Sequence, residues 1–149
     1  MRSNVLMVLA AVLLAGCVEG RSAFGPNQDY QLRKSVKAFA ADAQTRHYPT
    51  TAPSAGRAPM RAEVDYQLKL INLVNLSDEQ WNDAELWVNG QYVCFLPRIQ
   101  PKIQKTINFQ ILFDDHHKSF PTSLATESVK KLQVFANGSL YDVQLHLAD

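Results

Sequence analysis

Glu85-Leu86-Trp87-Val88-Asn89-Gly90-Gln91-Tyr92-Val93-Cys94-Phe95 reads as two short apolar runs joined by Asn-Gly, and the arrangement returns where Asn137-Gly138 joins Leu132–Ala136 to Ser139–Leu147. Both central positions of a type I′ turn take positive φ, which Asn and Gly tolerate best, so each stretch predicts a hairpin. A two-residue loop sets Ala136 opposite Ser139, Val134 opposite Tyr141 and Leu132 opposite Val143. Apart from Phe135 and Leu140, the large apolar members then share one face, as a half-buried strand pair requires. The same loop length in the first hairpin places Leu86, Val88, Val93 and Phe95 on one face, with Trp87 opposite Tyr92 on the other.

Working outward, the period stays at two. Val64, Tyr66, Leu68 and Leu70 alternate with Asp65, Gln67 and Lys69. Ile103, Ile107, Phe109, Ile111 and Phe113 share a parity that Lys105 interrupts, which places Lys105 near a sheet edge or with its head reaching solvent. About six strands with no helix between them predict a mainly β domain over residues 63–149. An antiparallel two-sheet sandwich, immunoglobulin-like or fibronectin-III-like, fits best, with a small barrel as the alternative.

Upstream, the composition changes twice. Residues 47–62 hold three Pro among small polar neighbours and predict an extended linker reaching up to about 50 Å. In residues 29–46, Leu32, Val36, Phe39, Ala40 and Ala43 recur at helical spacing behind Asp29 as N-cap. This amphipathic helix is mostly Ala on its apolar stripe and is marginal without something to pack on.

Residues 17–28 form a tether, and residues 1–16 a leader. Arg2 precedes an uncharged run from Val5 to Ala15, too short for a bilayer span, which takes about 20 residues. Leu14-Ala15-Gly16-Cys17 resembles the bacterial lipobox. The resemblance implies cleavage before Cys17, its acylation, and a lipid-anchored envelope protein. Val18 stands where Asp would mark inner-membrane retention, so the implied address is the outer membrane, facing the periplasm. Arg2 is the leader's one charge. Without it, the 15 Lys and Arg fall level with the 14 Asp and Glu. A neutral mature chain argues against a nucleic-acid partner and leaves membrane attachment to the acyl chains.

Candidate sites are few. With Cys17 committed to lipid, Cys94 has no disulfide partner and reads as a buried apolar residue. Asp114-Asp115-His116-His117 offers metal-ligating groups, but adjacent strand residues point apart and no recognised metal spacing surrounds them. A solvated loop is the plainer reading, so no metal, cofactor or catalytic residue is expected. Trp87 and Tyr92, stacked on an outer face, would make an anchor for a partner unless a loop or the 29–46 helix covers them. Trp81 is expected to close one end of the core.

Trp81-Asn82-Asp83, Leu86–Tyr92, Phe113-Asp114-Asp115 and Phe120-Pro121 together resemble uncharacterised small secreted β-sandwich domains of bacteria, with His116-His117 replacing the usual Gly after the acidic pair. The resemblance implies fold and no activity. The leading functional expectation is a non-enzymatic lipoprotein binding a protein or envelope polymer through sheet edges or the Trp87/Tyr92 face. A carbohydrate- or small-ligand-binding module comes next, and a metal-dependent hydrolase at residues 114–117 last.

Overall fold

The computed structural model describes residues 29–123 and 127–147. The expected leader and tether, with Cys17, lie outside the described residues. Seven strands run in chain order: β1 (Ser54–Asp65), β2 (Leu70–Asn75), β3 (Trp81–Val88), β4 (Tyr92–Ile99), β5 (Gln104–Asn108), β6 (Leu132–Ala136) and β7 (Ser139–Leu147), preceded by helix α1 (Val36–Gln44).

The β6–β7 hairpin takes the expected register, with Ala136 against Ser139 and Val134 against Tyr141. The β3–β4 hairpin does not. Asn89 and Gly90 have positive φ, and Gln91 N–H closes the turn on the Val88 carbonyl at 3.0 Å. The ladder, however, resumes at Val88 against Tyr92, leaving Gln91 as an extra residue. Trp87 therefore lies opposite Val93. Because side chains alternate, this one-residue offset sends Trp87 and Tyr92 to opposite faces.

All seven strands join one mixed sheet, in the order β4-β3-β6-β7-β1-β2-β5, curled nearly into a barrel. The expected pair of all-antiparallel sheets gives way to this sheet because β1 pairs antiparallel with β2 and parallel with β7. That central strand draws on the expected linker. Ala58, Met60, Ala62 and Val64 face the core, while Arg57, Pro59, Arg61 and Glu63 are exposed. Pro59 fits because it sits in an irregular stretch of the β1–β7 pairing and contributes only its carbonyl, which accepts from Leu76 N–H at 2.7 Å.

Two expected strands are cut short. The 64–70 run breaks after Asp65, whose Oδ1 accepts from Leu68 N–H at 2.8 Å, and Lys69 takes φ +58 to enter β2. The 103–113 run breaks at Asn108, whose Oδ1 accepts from Gln110 N–H at 2.9 Å and starts a 3-10 turn at Phe109–Ile111. That turn places Phe109 edge-on to Phe120 in the core, with centroids 5.0 Å apart.

The sheet's edge strands are β4 and β5. Helix α1 packs against both β4 and the 3-10 turn that follows β5, so it lies over the seam of the curled sheet. Ser35 caps it, accepting from Ala38 N–H at 3.2 Å, and Phe39, Ala40 and Ala43 are buried. Covering β4 and the turn after β5 shields this part of the seam from strand addition. Lys105 does sit on an edge strand, but its ammonium is buried in an ion pair with Asp29 rather than carried to solvent. Cys94 is buried and unpaired by any disulfide. Trp81 begins β3, half-buried and edge-on to Tyr141 at 4.9 Å. No described helix is long and apolar enough to cross a membrane.

Candidate functional site

Just past α1, the chain crosses the outer face of the β3–β4 hairpin and leaves a cleft of about 150 Å³. Arg46, His47 and Tyr48 form one wall, Gly90, Gln91 and Val93 the other, with Trp87 and Asp115 completing the lining. Each wall has a local cause. Arg46 is held by Asp42 one helical turn back, with both nitrogen–oxygen contacts at 3.1 Å, and by Glu85 of β3 at 2.8 Å. Its guanidinium also lies 4.1 Å from the Phe95 ring centroid. Burial alone would lower the Arg46 pKa, but hydrogen bonds to Asp42 and Glu85 and their charges outweigh it and raise it above the ordinary guanidinium value. Tyr48 stands edge-on to Trp87 with centroids 5.4 Å apart and donates its hydroxyl to Gln133 at 2.6 Å. Its ring passes over Gly90, at 3.5 Å from where a Cβ would be.

The two aromatic residues named from the sequence are not an exposed pair. Trp87 is 2% exposed, packed against Tyr48, with Nε1 donating to Glu85 at 3.0 Å. Tyr92 is 6% exposed on the other face, edge-on to Phe120, with its hydroxyl donating to Glu127 at 3.0 Å. Burial, then the hydrogen bond to Glu127, then the charges of Glu127 and Asp114 push the Tyr92 phenol up to about 12. A docking face built on both rings is therefore excluded by burial, and Trp87 remains only as a cleft wall.

The acidic-histidine stretch divides. Asp114 is buried and organises its own turn, its Oδ1 accepting from His116 N–H at 2.9 Å and Lys118 N–H at 2.8 Å. Asp115 and His116 are exposed and pair at 2.6 Å. His117, with φ +62, reaches the Gln44 amide at the end of α1. One potential ligand atom each from Asp114, Asp115 and His116 lies within a 4.8 Å span, and His117 is not among them. Two of those groups already serve each other and the third serves the backbone, so the stretch reads as a turn that places Asp115 on the cleft rim.

Sequence reasoning missed Arg46, His47, Tyr48 and Gln91. The spacing Asp42–Arg46 was a usable signal, since residues four apart share a helix face. An aromatic residue inside a Pro-rich stretch was another. Comparison of the chain with protein-family models, with curated proteins and with solved structures gives no match in any of the three.

Proposed function

We propose that this chain is a lipid-anchored envelope protein whose β domain binds or scaffolds a partner without catalysing a reaction, with the cleft beside the Asn89-Gly90 turn as the contact point. One observation carries the anchor: Leu14-Ala15-Gly16-Cys17 behind Arg2 and an uncharged run. Val18, in place of Asp after Cys17, favours the outer membrane, facing the periplasm. The finer expectation, a sandwich of the immunoglobulin or fibronectin type, gives way here to the curled single sheet as the scaffold. Three features support a non-catalytic reading. Burial, first, and then the charge of Asp42 push the Cys94 thiol up to about 12, so it is no nucleophile at neutral pH. The Tyr92 phenol stays protonated, and Asp114 is committed to its turn.

A second reading, a carbohydrate- or small-ligand-binding module, draws on the cleft's lining. Its cation is paired with Asp42 and Glu85, and its carboxylate with His116. Aromatic walls beside charged groups that already hold partners within the protein suit an uncharged polyol better than an ion.

The test is site-specific photocrosslinking in intact cells from Gln91, exposed on the cleft rim, and from His146, exposed on β7. A product from Gln91 alone, lost in Asp115→Ala, supports the cleft. Identical products from both positions, or none from Gln91, overturn it. Capture of an envelope protein supports the first reading, and capture of a glycan the second.

A further inference from the structure

We infer that the β domain works on a short leash, because residues 29–48 belong to the folded domain and not to the tether. This rests on Cys17 as the acylation site. Asp29 is ion-paired with the buried Lys105 of β5, and Gln31 Oε1 lies 3.4 Å from the same ammonium. Phe39, Ala40 and Ala43 are buried over the seam, and Arg46 is fixed by Glu85. Tyr48 packs on Trp87, and the turn that follows closes through Thr50 N–H to Tyr48 O at 2.8 Å and Ala52 N–H to Pro49 O at 3.1 Å. β1 begins at Ser54. Between Asp29 and Ser54, the contacts of these residues leave no long free spacer.

Only residues 18–28 then separate the lipid site from the domain. At no more than about 3.6 Å per residue, Asp29 stays within about 43 Å of Cys17, whatever those residues' conformation. A spacer running on to residue 62 would instead allow roughly 160 Å. A domain of this size is about 35 Å across, so the cleft reaches at most about 80 Å from the bilayer. Its partners are those that present a surface within that layer of the same membrane.

The experiment uses full-length acylated protein in vesicles, with a donor dye on Ile103→Cys, an exposed position, and acceptor dyes on the lipid headgroups. Eight residues are inserted either between Asn27 and Gln28 or between Thr50 and Thr51, adding at most about 29 Å of chain. The first insertion should lower energy transfer and the second should leave it unchanged. Equal losses from both would mean that residues 29–62 act as spacer, and the leash fails. Lack of acyl mass on wild-type Cys17 overturns the lipid reading and the leash with it. Should the second insertion prevent folding, hydrogen exchange on the vesicle-bound wild type decides. Protected α1 amides support the leash, and unprotected ones overturn it.

Discussion

Asn89 does more than form a turn. Its Nδ2 donates to Glu127 Oε1 and to the Ser128 carbonyl, both at 2.9 Å. Its Oδ1 accepts from Lys130 N–H at 2.8 Å and Lys131 N–H at 3.1 Å. The side chain's hydrogen-bonding capacity is thus spent on tying the 127–131 segment to the hairpin. Asn89→Gly keeps the positive φ but removes these bonds, and should cost about 2 kcal/mol. Asn89→Ala adds left-handed strain and should cost about 3 kcal/mol. Urea midpoints read both, and equal stability of wild type and Asn89→Gly would show that the turn alone matters.

Two buried acids set the alkaline limit. The Cys94 thiol rises from 9.0 to about 12 and the Tyr92 phenol from 10.0 to about 12, burial being the leading cause for each. Both favour the fold in their neutral forms. Their contribution is therefore complete below pH about 9 and is lost as pH climbs towards about 12. The urea midpoint should fall across that interval. Cys94→Ala should delay the onset to about pH 10, where Tyr92 begins to matter. An onset unmoved by Cys94→Ala would contradict the assignment.

Among the elements, α1 departs most from what its composition suggests. Nine residues with a mostly Ala stripe form a poor isolated helix, yet this one buries Phe39 to 5% exposure over the seam. Phe39→Ala should cost about 3–5 kcal/mol in global unfolding. A helix fraying on a mobile tether would show almost no loss, so thermal denaturation of this variant separates the cases. The β6–β7 register was legible because Ala136 and Ser139 flank a plain two-residue loop. The β3–β4 register was not, because the Asn-Gly signal does not report whether Gln91 joins the ladder, and that residue decides which face Trp87 and Tyr92 take. β1 was hidden for a different reason. Its inward positions are partly Ala58 and Ala62, small enough to read as linker, and its strand character comes from pairing with distant β2 and β7. The cleft was illegible for the same reason, since its walls meet only when residues 46–48 cross the hairpin.

At the scale of the molecule, β7 holds the sheet together. It pairs with β6 on one side and β1 on the other, and so joins the β4-β3-β6 half to the β1-β2-β5 half. A chain ending at Asn137 lacks it and should show no cooperative unfolding transition by circular dichroism. Retention of a sharp transition would mean that the halves close without it. Ala62 pairs with Leu145 across roughly 80 intervening residues, the kind of non-local contact that slows folding to milliseconds or seconds. The parallel strand pair thus carries a consequence in time. While the chain is synthesised, its long first strand waits unpaired on one side until β7 emerges. For most of that time the domain stays open, and it acquires its shape only when β7 arrives.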